Sequence, residues 1–158
     1  RYDVKELGLN YRPSEMQSAL AVSQLTRLDK FRDKRQAVFD WYVRELGSLG
    51  PIRLPEDPSN AEVVWHLFPV KVPPEERLQF FNFLRAHRIM VQVNYIPVYF
   101  HSVFNSDEYP RGLCPGAEAF YQGEVSLPMH TSLSRRDLKR VVDCTRDFFR
   151  MDKATQIL

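Results

Sequence analysis

From Met16 onward the apolar residues of this chain return at the spacing of one helix face. Met16, Ala19, Leu20, Val22, Leu25, Leu28 and Phe31 are followed by Val38, Trp41, Tyr42, Leu46 and Leu49. Such spacing stacks side chains on one stripe, because a helix comes back to the same side every 3.6 residues. Pro13 stands where a missing N–H costs nothing, and Gly47 with Gly50-Pro51 supplies the stop. Residues 13–48 are therefore expected to form one long helix or two abutting ones. The charges between the apolar positions, Arg27, Asp29, Lys30, Arg32, Asp33, Lys34 and Arg35, read as the solvated face. So large a helical opening obliges the remaining chain to supply a surface for it to pack on.

Beyond it the pattern changes. Residues 51–60 carry turn chemistry in Pro51, Pro55, Asp57, Pro58, Ser59 and Asn60. Val63 to Val72 reads as a strand that is apolar on both faces, and Pro69 requires an edge or a bulge there. Pro73-Pro74-Glu75-Glu76 opens a helix with acid at its positive end, Leu78, Phe81 and Leu84 facing inward. Ile89 to Tyr95 alternates as a strand with one wet face does. From Ile96 to Gly116 no period is found, and a loop that long inside a compact domain is functional or mobile. Ala117–Tyr121 reads as a short helix and Val125–Leu127 as a short strand. Ser134 and Asp137 then make a capping-box pattern, with Leu138, Val141, Val142, Thr145, Phe148 and Phe149 as the buried stripe of a final helix. The expected class is α/β (α+β), a long leading helix and then a small sheet of roughly three strands with helices on one face.

Composition removes several functions. Lys plus Arg number 22 against 20 Asp plus Glu, a net charge of +2, which lacks the concentrated basic face of a nucleic-acid binder. No apolar run approaches the roughly 18 residues of a membrane span. A hydrophobic content of 44% argues against disorder. A chain this long removes roughly 68–70% of its unfolded surface from water, enough for a core without staples. Cys114 and Cys144 form neither a disulfide framework nor a zinc pattern, so two reduced thiols in a cytoplasmic protein are expected. Arg1-Tyr2-Asp3-Val4-Lys5 holds no signal-peptide core, and without an initiating Met the chain is expected to be a piece of a longer protein.

Chemistry-bearing motifs are sparse. His66, His87, His101 and His130 stand in no metal-ligand spacing, so no metal is expected. There is no G-x-S-x-G elbow, P-loop or G-x-G-x-x-G. The lysines Lys5, Lys30, Lys34, Lys71, Lys139 and Lys153 sit in settings that suggest no activated nucleophile. Two segments are unusual for a purely structural domain. Gly8-Leu9-Asn10-Tyr11-Arg12-Pro13 places polar groups directly before a helix start, where a phosphate could bind or where the chain simply turns. Gln92-Val93-Asn94-Tyr95-Ile96-Pro97-Val98-Tyr99 runs a strand into an aromatic, proline-stiffened loop, suited either to a ligand or to inward packing.

Four stretches, in this order, resemble the C-terminal part of nucleotide-sugar aminotransferases of the DegT/DnrJ type. GLNYRPSEMQSALAVSQLTRLDKF resembles that family's G-x-N-(Y/F)-R motif and long helix, and WHLFPVKV its H-L-(F/Y) strand. IMVQVNYIPVY is similar to its Q-V-(H/N)-Y-x-P strand and loop, and PGAEAFYQGEVSLPMHTSLSRRDLKRVV to its A-E-x-(F/Y)-Y…S-(L/I)-P segment. The likeness runs from Gly8 to about Phe149. It implies the small C-terminal domain of a fold-type I aminotransferase, with residues 1–50 as leading segment and interdomain helix and 51–158 as a small α/β domain. The N-terminal domain that carries pyridoxal 5'-phosphate, with its Schiff-base lysine, would be absent from this chain.

The same resemblance implies roles. Asn10 would reach the cofactor phosphate of the neighbouring subunit, which makes the parent a homodimer. Arg12 would line the substrate cleft, and Asn94, Tyr95 and Tyr99 would cover the nucleotide-sugar. Many members carry His at the position of Asn94 and some at that of Tyr99; neither Asn nor Tyr titrates near neutrality, so an imidazole role is lost here. The subgroup most similar aminates the 4-keto position of a UDP-linked 6-deoxy-N-acetylhexosamine with glutamate as donor. No catalytic residue is expected in this chain, and the fragment alone is expected to be inactive. Two other readings are a stand-alone, non-catalytic binding or interaction module of the same fold, and a metal-dependent hydrolase using the scattered histidines.

Overall fold

The computed structural model describes residues 11–58, 60–104 and 108–155, with side chains as far as Arg150. The helical opening is two abutting helices, α1 (Glu15–Leu25) and α2 (Leu28–Leu46). Between them the ladder tightens, with the Arg27 N–H donating to the Gln24 carbonyl at 3.0 Å and the Thr26 hydroxyl to the Ser23 carbonyl at 2.9 Å. The first helix starts two residues beyond the expected N1 proline, at Glu15. Ser14 is the cap, its Oγ taking the Gln17 N–H at 3.3 Å while its own N–H donates to Gln17 Oε1 at 2.8 Å. Pro13 thus lies outside the helix, before the cap.

Only α2 joins the core. Its Val38, Phe39, Tyr42 and Leu46 are buried, whereas α1 buries nothing and leaves Met16 84% and Leu25 65% exposed. The apolar stripe of residues 16–28 is therefore a surface, although its spacing matches that of the core stripe.

The sheet is smaller than expected. β1 (Phe68–Lys71) and β2 (Glu124–Leu127) pair antiparallel, Phe68 opposite Leu127 and Val70 opposite Val125. The strand foreseen over 63–72 is ordered as strand only in its last part. On one side the Val72 N–H donates to the Gly123 carbonyl at 2.9 Å, and on the other Lys71 exchanges backbone bonds with Arg53 at 2.8 and 2.9 Å. Pro69 shares the parity of Lys71, so its missing N–H falls on the outer edge and costs no bond to β2. Gly123 is required where it stands, since a Cβ there would lie 2.5 Å from the Val72 carbonyl oxygen.

The segment foreseen as a strand at 89–95 keeps its alternation only as far as Gln92, with Ile89 and Val91 buried and Met90 and Gln92 exposed; from there the parity reverses, Asn94 being buried and Tyr95 exposed. It pairs at a single point, where Gln92 and Ser126 exchange backbone bonds of 3.3 and 2.8 Å. The ladder stops because the next N–H on that side, from Asn94, is taken by the Glu124 carboxylate at 2.6 Å instead of by a strand carbonyl.

Helix α3 (Arg77–Ala86) buries Leu84 as expected and packs Phe81 partly against the core, but Leu78 is 65% exposed and Phe80 takes its place inside, which corrects that part of the expected face. The Phe80 ring packs between Phe148 and Phe149, 5.2 Å from each, and this aromatic cluster sets the rotation of α3. Pro115 starts α4 (Pro115–Gly123), which runs straight into β2. The last helix, α5 (Arg135–Thr155), follows its sequence signals closely. Ser134 and Asp137 form the reciprocal box at 2.9 and 3.2 Å, and all six stripe residues are buried. Thr145 satisfies its hydroxyl on the Val141 carbonyl at 2.8 Å, which allows it to lie in the core. No described helix is long and apolar enough to cross a membrane.

Candidate functional site

The segment after the Gln92 bridge holds most of the residues that the sequence singles out. Asn94 is 9% exposed, and its side-chain Nδ2 is buried without a hydrogen-bond partner. An orphaned buried amide costs free energy, so such a group is an observation in favour of a ligand. Tyr95, joined to Asn94 by a cis peptide bond, is 70% exposed. Pro97 is buried and precedes the short 3-10 turn Val98–Phe100, whose Tyr99 and Phe100 are half-buried.

Asn94 forms part of the wall of a cleft of about 260 Å³, together with His66, Gln92, Ser126, Pro128 and His130. His66 and His130 enter from the segments flanking β1 and β2, brought to the same end by the antiparallel pairing of Phe68 with Leu127. Amide, hydroxyl and imidazole groups over an apolar floor suit a polar, oxygen-rich ligand held by hydrogen bonds. The two histidines gave no signal in sequence because they lie far apart along the chain. Arg12, Tyr95 and Tyr99 are not among the walls of this cleft.

Tyr99 is engaged elsewhere. Its hydroxyl donates to the Glu118 carboxylate and accepts the Cys114 N–H at 3.1 Å, while the Gly112 N–H donates to the same carboxylate oxygen at 2.6 Å. Burial, then the hydrogen bond to Glu118, raises this phenol above its ordinary pKa. The irregular loop is thereby tied to the first turns of α4. Arg12 is exposed on the stretch before the Ser14 cap. Asn10, foreseen at the cofactor phosphate, lies outside the described residues.

Glu124 escaped the sequence reading. It is fully buried, with Oε2 accepting the Asn94 N–H at 2.6 Å and Oε1 accepting the Ser126 hydroxyl at 2.5 Å. The available signal was its parity with Ser126 in the otherwise apolar stretch Glu124-Val125-Ser126-Leu127. Burial raises its pKa, opposed by those two hydrogen bonds and by the charge of Arg77.

A covalently held pyridoxal phosphate requires a lysine in a desolvated or otherwise activating pocket. Among the described lysines, Lys30 is exposed, Lys34 donates to the Thr131 carbonyl at 3.4 Å and Lys139 pairs with Asp143 at 2.5 Å. Lys71 lies over the Phe120 ring, 6.0 Å from its centroid. None of these settings fits covalent attachment, so no step through the cofactor is derived for them. Among the described residues no group of three or more His, Cys, Asp or Glu is placed to hold a metal ion.

Known proteins place this arrangement in context. The chain is 33% identical over 156 residues to a dTDP-3-amino-3,4,6-trideoxy-alpha-D-glucose transaminase of Streptomyces venezuelae, covering 98% of this chain and 41% of that protein. It is 31% identical over 147 residues to a UDP-4-amino-4,6-dideoxy-N-acetyl-beta-L-altrosamine transaminase of Campylobacter jejuni, covering 89% of this chain and 38% of that protein. The crystal structure of S. venezuelae DesV in complex with a ketimine intermediate superimposes with a TM-score of 0.84 at 32% identity, over 94% of this chain and 40% of that one. The chain thus spans about two fifths of the length of the relatives it matches. The sequence pattern of the DegT/DnrJ/EryC1/StrS aminotransferase family matches residues 1–146, and this chain belongs to that family.

Proposed function

We propose that this chain is the substrate-side, C-terminal part of a pyridoxal-phosphate aminotransferase that moves an amino group from glutamate to a nucleotide-linked keto-sugar. In this reading residues 1–50 are the leading segment and interdomain helix, 51–158 are the small domain, and a separate N-terminal domain holds the cofactor. The working unit is a cytoplasmic homodimer. The observation that carries the reading is the 33% identity to a sugar-nucleotide transaminase over 98% of the chain. Asn94, a wall residue of the cleft whose buried amide nitrogen has no partner, supports a ligand on this side of the protein. A stand-alone non-catalytic module is not favoured, since nothing particular to it is observed.

Pyridoxal phosphate, when bound, supplies the electron sink for transamination. The present chain would contribute positioning. Asn10 donates to the cofactor phosphate of the neighbouring subunit, Asn94 presents its amide to the sugar, and Tyr95 and Arg12 cover and hold the nucleotide-sugar. Tyr99 belongs to the same loop, with its hydroxyl turned to Glu118. Its part is then to hold the cover in place by its ring and its internal hydrogen bonds.

The test uses the full-length dimer and measures both half-reactions with a cofactor titration. Asn10→Ala is expected to weaken cofactor binding about tenfold to a hundredfold, the range for a hydrogen bond to a charged group. Tyr95→Ala is expected to lower kcat/KM for the sugar and leave the glutamate half-reaction nearly intact. Equal loss in both half-reactions for Tyr95→Ala would overturn the assignment. The isolated chain, given pyridoxal phosphate and glutamate, is expected to show no turnover and no borohydride-trapped adduct at a single lysine.

A further inference from the structure

We propose that Glu124 is a positioning residue for the sugar-facing segment, holding Asn94 and Tyr95 in place from inside the fold; this rests on the substrate-side reading above. Gln92 is joined to Ser126 through two backbone bonds of 3.3 and 2.8 Å. The Ser126 hydroxyl donates to Glu124 Oε1 at 2.5 Å, and Glu124 Oε2 accepts the Asn94 N–H at 2.6 Å. These bonds close a ring from Gln92 through β2 and back to Asn94. The segment is thereby fixed at both ends of a two-residue step, which leaves Asn94 in the wall of the cleft and Tyr95 exposed.

A carboxylate is an expensive choice for this task. Glu124 is fully buried in β2, between the core residue Val125 and the glycine that contacts β1. A strand neighbour would normally supply a carbonyl to the Asn94 N–H. The side chain does so instead, which ends regular pairing one step after Gln92 and re-aims the chain toward the cleft. A group with only a packing role would be satisfied by an apolar residue here. The two hydrogen bonds, both directed at the 92–95 segment or its bridge partner, assign Glu124 a geometric role.

The experiment compares Glu124→Ala, Glu124→Gln and Tyr95→Ala in the full-length dimer. Gln preserves the shape, can accept the Asn94 N–H through its carbonyl and can donate to Ser126 Oγ through its amide. Ser126→Ala is the companion if Glu124→Ala does not fold, since it removes one bond of the ring and little volume. Two readouts are taken, hydrogen exchange of the peptide covering residues 89–97 and the KM and kcat of each half-reaction. For Glu124→Ala or Ser126→Ala we expect exchange at Asn94 to rise on the order of tenfold. We also expect a sugar KM raised several-fold, a glutamate half-reaction within twofold of wild type, and restoration of both readouts by Glu124→Gln. Unchanged exchange overturns the proposal whatever the activity does. Raised exchange with an unchanged sugar KM, while Tyr95→Ala raises that KM, also overturns it and makes Glu124 a purely structural residue. If Tyr95→Ala leaves the sugar KM unchanged as well, the substrate-side reading fails and the proposal falls with it.

Discussion

The Trp65 indole lies parallel to the Phe39 ring, with 4.0 Å between centroids and 11° between planes. This stack joins α2 to the stretch leading into β1, and the Arg35 guanidinium adds a hydrogen bond to the Trp65 carbonyl at 3.1 Å. Residues 63–67 are thus held by side chains from a helix and not by a strand ladder.

The first prediction follows from that geometry. Trp65→Ala removes the stack and half-buried ring area, and should destabilise the protein by about 2–3 kcal/mol. Trp65→Phe should cost less than about 1.5 kcal/mol, because the ring face is kept and the lost indole N–H has no partner where it is buried. Urea denaturation of the two variants decides the matter, and equal losses would show that stacking is not the source.

Tyr99 and Glu118 give the second. Phenylalanine at position 99 keeps the ring but removes the donor to Glu118 and the acceptor for Cys114 N–H. Limited proteolysis within residues 100–114 should accelerate on the order of tenfold, since two hydrogen bonds are lost, each worth about 0.5–1.5 kcal/mol. Glu118→Gln should produce a smaller change, and the double variant should add little to Tyr99→Phe, because the two groups share the bond.

For Glu124 the sign of a pH effect can be worked out. Burial raises its folded-state pKa above the ordinary 4.5. The stability attached to its protonated form is complete below the unfolded pKa and is lost as pH rises through the folded pKa. Glu124→Gln cannot titrate. Its Tm relative to wild type should therefore improve from pH 4 upward and level off above the folded pKa. A Tm difference that is flat with pH, or that shrinks as pH rises, would contradict the burial argument.

The exposed stripe on α1 supplies the last. Met16, Leu20, Val22 and Leu25 are all at least 63% exposed, an apolar surface of the kind that favours association. In the proposed function this face meets the cofactor domain or the partner subunit. The isolated chain should self-associate, and Leu20→Glu with Leu25→Glu should reduce the association constant on the order of tenfold or more. Sedimentation equilibrium measures it, and a monomeric wild-type chain at high concentration would count against the interface.

Local features were legible wherever the physics is local. The Ser134–Asp137 box and the six-residue stripe of α5 need only neighbours within a few turns, and both stand as the sequence implies. The stop at Gly47 is a similar case. The four family-like stretches also carried the family, because each keeps its residue types and order in the sequence itself.

Three features were settled only by the tertiary structure. The stripes of α1 and α2 are alike in spacing, yet one is exposed and the other is core, because periodicity states that a face is apolar and not what covers it. The length of β1 and the single bridge at Gln92 depend on partners some thirty or more residues away, so alternation alone could not set them. Glu124 is the plainest case. Its parity with Ser126 marks it within the strand but does not tell a buried acceptor from a solvated carboxylate, and that is decided only when residues 89–95 are laid beside β2 and the Asn94 N–H arrives within 2.6 Å. Hydrogen bonds between distant segments act only after the chain has collapsed, and for that reason the sequence determined the helices and the family while the packed fold decided the extent of the strands and the site.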